Sequence, residues 1–240
     1  MPKMVYPIID RMSTQLAGWQ DTADQRSVFL QCYTLMTRNM LVAVDAGTFH
    51  DGVWVSTLLH RFADYYFRAL DSFTLHASTT PRVWRHAFEM AQQPRIHSLQ
   101  HLFLGVNAHI RYDLVLTLND MLCGEWPELS EVQRQQRYAD HSQVNRIIYE
   151  TVNAVQDGVI EKLNPEMDIV DTLMGGLDEW LIYKLISRWR DQVWQQAHDM
   201  IACTADSDRT RVIYAVEERV MQHAEAMLGQ HGIRGLAELL

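Results

Sequence analysis

Three residues on one short stretch, His101, His109 and Asp113, carry the densest reactive chemistry in this sequence. Histidine changes charge near neutral pH and is a common metal ligand, and a nearby carboxylate can orient it or share a cation with it. His109 and Asp113 stand four positions apart, so on a helix their side chains rise from successive turns of one face. That is close enough for a mutual hydrogen bond or for joint ligation of one ion. His101 lies two turns earlier, about 12 Å along a helix axis, too far to share an ion with both unless the helix bends. Gly105 and Ala108 place no bulk between them, which leaves a gap for a substrate, a water or another helix. His60 and Asp64 repeat the same spacing. Two facing helices would then supply nitrogen and oxygen ligands suited to zinc, iron or manganese, although Arg61 and Arg68 offer Asp64 ordinary ion-pair partners.

The element that must position these groups is a helix. On a wheel of about 100° per residue, Leu99, Leu102, Val106 and Ile110 form a core face. Gln100, Asn107 and Arg111 form a narrow polar stripe, and His101, Gly105, Ala108, His109, Tyr112 and Asp113 share the remaining side. A helix with so little polar circumference belongs in the middle of a bundle. Asn107, Tyr112 and Gly105 are the residues placed to contact a substrate held by the His/Asp group.

The same periodicity recurs along the chain, while alternating β-branched runs bounded by hairpin turns are absent. The expected fold is all-α: a single domain over residues 1–240, with about seven to nine helices around a buried central one. Helices are expected at about Tyr6–Trp19, from the Asp21 to Asp24 turn to Val44, and Gly52–Leu75. Thr80 as N-cap with Pro81 opens another, and the central helix runs from about Ile96 to Met121. Ser130 and Gln133 make a capping box that starts a long helix toward Leu163. Asn164-Pro165 and Gly175-Gly176 interrupt the chain before a Trp-rich helix at about Asp178–Ala202, and a last helix reaches Leu228, with Gly232 as its stop.

Composition excludes several functions. A net charge of −9 without a Lys/Arg run argues against nucleic acid, which needs clustered cations. No apolar stretch reaches the roughly 18 residues of a membrane span, and no secretory leader is visible at the start. Cys32, Cys123 and Cys203 lack C-x-x-C spacing and read as reduced thiols, mostly buried, in a cytoplasmic protein. No H-E-x-x-H, E-x-x-H, G-x-S-x-G, P-loop or G-x-G-x-x-G pattern is present, so no nucleotide or dinucleotide cofactor is expected. His86 with Glu89, Asp140 with His141, and the Trp180, Trp189 and Trp194 series read as structural.

The run from Leu99 to Leu114 resembles the signature L-Q-H-L-x-L-G-x-N-A-H-I-x-x-D-L of an uncharacterised bacterial family catalogued as a domain of unknown function. Looser similarity covers Phe62, Ala63, Tyr66, Ala69, Trp84, Phe88, Asn145 and the Arg190 to Trp194 segment. The resemblance implies one helical domain centred on His101, Asn107, His109 and Asp113 and names no reaction; His60 is not part of the pattern. Two functional expectations follow. One is a small-molecule enzyme in which His101, His109 and Asp113 bind a divalent metal or act as acid and base. The other is a non-catalytic ligand-binding or interaction protein in which the same residues form a structural hydrogen-bond network.

Overall fold

The computed structural model describes residues 6–20, 24–155 and 179–229, and among them every regular element is helical. Among the described residues eight helices follow one another: α1 (Pro7–Gln20), α2 (Arg26–Asp45), α3 (Gly52–Leu75), α4 (Arg82–Met90), α5, α6 (Glu131–Val155), α7 (Glu179–Ile201) and α8 (Asp206–Leu228). Helix α5 is continuous but not uniform. It consists of Ser98–Ala108, a π-helical turn His109–Asp113, and Leu114–Glu125. It touches α2, α3, α4, α7 and α8 and so forms the axis of the bundle.

Local chemistry explains the boundaries that position this axis. Gly47, at φ 68°, supplies the left-handed residue that turns the chain out of α2. Asp51 then caps α3 by accepting from the Trp54 amide at 2.9 Å. The buried Asp140 of α6 accepts from the backbone amides of His50 and Asp51 at 2.7 and 2.9 Å, which pins that turn. Arg137 joins Asp51 to Glu125 at the end of α5, and the Trp54 indole donates to Glu125 at 2.9 Å. The carboxylate of Asp140 thereby ties α6 to the start of α3.

At the other end, His97 and Gln100 form a capping box that starts α5. Ser130 and Gln133 do the same for α6. Helix four begins at Arg82 with Pro81 in the cap position, one residue later than Thr80 and Pro81 suggested. The expected helix from Ser130 is described to Val155, while its expected end at Leu163, both interruptions after it and Gly232 lie outside the described residues, as does the side chain of Trp180. Trp189 and Trp194 are buried in the core, as expected of packing residues. Of the three thiols only Cys32 is buried, since Cys123 is exposed and Cys203 half-buried. No described helix is long and apolar enough to cross a membrane.

Candidate active site

The polar stripe of α5 meets another helix rather than solvent. Gln100 donates to the Met227 carbonyl at 3.1 Å, Asn107 to the Val220 carbonyl at 2.9 Å, and Arg111 to Nδ1 of His223. These bonds fasten α8 along α5. Asn107 thus uses its amide N–H in a bond to α8, while its Oδ1 is buried without a hydrogen-bond partner.

The opposite side of the π turn holds His109 and Asp113. They are 2% and 1% exposed, and Nδ1 of His109 lies 2.9 Å from Oδ2 of Asp113. The Trp84 indole of α4 donates to both carboxyl oxygens of Asp113 at 3.0 and 2.9 Å. Indole, carboxyl and imidazole thus form one buried hydrogen-bonded chain. The imidazole is stacked on Phe62 at 3.6 Å and 8° between planes, and Tyr33 meets it edge-on at 4.3 Å. Phe29, Tyr66 and Trp84 complete the aromatic wall. Nε2 of His109 and the hydroxyl of Tyr66 are buried without a hydrogen-bond partner.

Burial sets the protonation of this pair. It pushes Asp113 well above the ordinary carboxylate range, against the opposing indole bond, and holds His109 well below the ordinary imidazole range. Both shifts oppose charge, so the pair favours the neutral acid and neutral imidazole, with one proton in the Oδ2···Nδ1 bond. Tyr33 is likewise driven up by burial.

The other expected site residues are dispersed. His101 is buried in the first turn of α5 beside the Ile96 backbone and His97, with burial lowering its proton affinity. Among the described residues no hydrogen bond or ring contact joins it to His109 or Asp113. Tyr112 is held near Glu217, and burial and that carboxylate push its phenol up to about 12. Of the three occupants expected for the gap at Gly105, it is another helix, α2, that fills it. The Phe29 ring occupies it so closely that a Cβ there would fall 2.5 Å from ring carbons. His60 and Asp64 are exposed on the outer face of α3, and Nδ1 of His60 bonds its own helix at Ser56 O, 2.8 Å away. The two H-x-x-x-D pairs consequently do not face each other. Among the described residues no group of three or more His, Cys, Asp or Glu stands together as a metal site would require.

Trp84, Phe29, Tyr33, Phe62 and Tyr66 belong to the site but were legible in the sequence only as core residues. Their meeting depends on contacts between residues far apart in the chain, such as Trp84 with Asp113. The π turn has no sequence signal of its own.

A family model described as a family of unknown function, DUF5995, matches residues 5–230. The chain belongs to that family. No curated protein and no solved structure matches it.

Proposed function

We propose that this member of a family of unknown function is a small-molecule enzyme whose working group is the His109 imidazole, held at Nδ1 by Asp113 and open at Nε2. The reading rests on one juxtaposition: a π-helical turn, a buried indole–carboxyl–imidazole chain, and a ring nitrogen left unpaired at its end. π turns inside α-helices occur frequently at functional sites. A buried polar atom without a partner costs about 1–3 kcal/mol. A leucine or phenylalanine at position 109 would fill an aromatic core without that cost.

With one proton shared between Asp113 and Nδ1, the ring's other proton sits on Nε2, so the imidazole acts first as general acid. Nε2 gives its proton to the substrate as the shared proton moves onto Nδ1, leaving a carboxylate, and the reverse transfer restores the pair. Asp113 is a positioning residue, and Trp84 positions Asp113 in turn. The aromatic wall excludes water and keeps the imidazole neutral. A bound divalent ion would polarise a substrate oxygen or activate water. Nε2 would be its ligand atom, with Asp113 behind the ring in the arrangement usual for metal-bound histidine. Because His60 and Asp64 point elsewhere and the Asp113 oxygens are engaged by Trp84 and His109, the donor set fits acid–base use better than a zinc, iron or manganese centre.

A second reading is favoured by the tightness of the seal. With Phe29 seated on Gly105 and Phe62 stacked on the ring, the chain from Trp84 to His109 also serves to fix helix register in a non-catalytic ligand-binding or interaction protein. The two readings separate in one experiment. Tag-free protein is incubated with a small-metabolite extract, turnover is followed by mass spectrometry, and bound metal is measured alongside for wild type, His109→Gln and Asp113→Asn. The enzyme reading expects wild-type turnover that falls about 10²–10⁴-fold in folded His109→Gln. Turnover retained by folded His109→Gln, or variants that lose only thermal stability, would replace it with the second reading.

A further inference from the structure

Among the described residues two arginines are buried, and they are satisfied in different ways. Arg190 of α7 gives Nε to Asn145 Oδ1 at 2.8 Å and Nη2 to the His141 carbonyl at 2.6 Å, so neutral acceptors from α6 clamp its guanidinium. Arg111, 6% exposed on the π turn of α5, has one hydrogen-bond contact, from Nη1 to His223 Nδ1, and lies over the Trp189 ring at 5.1 Å. A guanidinium carries five N–H donors and does not lose its charge in proteins. A ring face accepts the charge, and among the described residues no second side chain or carbonyl accepts from its remaining nitrogens, which stay within reach of solvent. The indole N–H of that same Trp189, which is 1% exposed, also has no acceptor.

The charged neighbour that acts on Arg111 is another cation, Arg219 of α8, and together with burial it lowers the guanidinium to about 10. Among the described residues no carboxylate pairs with Arg111. This corner therefore holds an excess of donors and positive charge. Burying a guanidinium without a counter-ion is unfavourable, and what would satisfy it is an anion with several acceptor oxygens. The fork of Arg matches an oxyanion in two-point geometry. The exposed Arg219 and half-buried His223 mark the direction from which such a group would enter.

We infer that Arg111, with the Trp189 indole N–H, His223 and Arg219, binds a small oxyanion, the carboxylate or phosphoryl group of a small molecule. His109 faces α2, α3 and α4, whereas Arg111 faces α7 and α8. The anion site is thus separate from the imidazole and stands whether or not His109 is catalytic.

The test is a titration of the full chain with inorganic phosphate and, separately, acetate, at ionic strength held constant with sodium chloride. NMR follows the Arg111 Nε–H and the Trp189 indole N–H. Both signals are expected to shift saturably with one dissociation constant. Saturation by phosphate alone assigns a phosphoryl ligand and by acetate alone a carboxylate, and either supports the site. Arg219→Gln, an exposed change, should weaken binding about 2–5-fold, in line with a partly screened charge, and Arg111→Met should weaken it at least about tenfold. Shifts that stay linear, that sodium chloride reproduces, or that persist unchanged in Arg219→Gln would overturn the proposal. The Arg219 variant keeps the test decisive if Arg111→Met fails to fold.

Discussion

Replacing Gly105 by alanine, normally favourable inside a helix, should destabilise this protein. A methyl group at 105 would lie 2.5 Å from Cδ2 and Cγ of Phe29 and 2.8 Å from its Cβ. Rotating the ring about Cβ–Cγ relieves only the Cδ2 contact and a change of χ1 is needed to move Cγ, while Cβ moves only with the backbone of α2. The ring is also confined by Tyr33, Tyr66, Trp84 and His109, with centroids 5.5 to 5.7 Å away. Overpacking of this kind costs about 1–3 kcal/mol, and the contact to an anchored Cβ places it toward the upper end. The helix gains about 0.8–1 kcal/mol when Gly becomes Ala, which leaves a net loss of about 1–2 kcal/mol. For a chain of this size that lowers Tm by roughly 2–8 °C. Gly105→Leu should cost more. Denaturant unfolding of the single variants and the double variant with Phe29→Ala gives the coupling directly. The methyl should be far less costly once Phe29 is truncated. If Gly105→Ala is neutral or stabilising, or equally costly with and without Phe29, then Phe29 does not fill the space beside Gly105.

Other outcomes follow from the same contacts. Trp84→Phe keeps the aromatic packing but removes the donor to both Asp113 oxygens, so unfolding free energy should drop by about 1–3 kcal/mol. A Trp84→Phe variant as stable as wild type would show that Asp113 does not depend on the indole. Asp140→Ala removes the acceptor for two backbone amides before α3 and should cost about 1.5–3 kcal/mol, with faster amide exchange at His50 and Asp51; unchanged exchange there would refute the pinning role. For pH, the signs of the two shifts oppose each other. The raised Asp113 contributes stability that is full below its ordinary 3.8 and is lost as pH climbs toward its folded value, while the lowered His109 contributes stability that is full above 6.5 and is lost as pH falls. The pair's contribution should be flat between those values and fall on either side at up to about 1.4 kcal/mol per pH unit. Stability curves for wild type and the double variant His109→Gln with Asp113→Asn should differ by that plateau, and parallel curves would refute the buried neutral pair.

The helical architecture was legible because its signals are local. The apolar stripe of α3 through Leu58, Phe62 and Tyr66 and the expected bounds Gly52 and Leu75 match the helix observed. That stripe already places His60 and Asp64 outside, since neither belongs to it, and the metal pairing with His109 asked both faces of α3 to look inward. The pairing of His109 with Asp113 was readable from spacing alone. What spacing does not carry is the partner across space. Gly105 announces a close approach, but nothing near it in sequence says that Phe29 makes it. Gln100, Asn107 and Arg111 announce a polar stripe, and only the packed bundle shows that α8 covers it. The widening of the helix at His109 likewise comes from tertiary packing, because no local propensity encodes a π turn.

The account centres on His109 as a sealed imidazole bonded at Nδ1 to Asp113 and free at Nε2, and its ring nitrogens report this directly. Long-range proton–nitrogen NMR of the ring, recorded from pH 4 to 9, should show an imidazole that stays neutral through pH 5–8, hydrogen-bonded at Nδ1, with Asp113→Asn altering the Nδ1 signal far more than that of Nε2. An imidazole that titrates near 6.5, with both nitrogens indifferent to the Asp113 change, would contradict it.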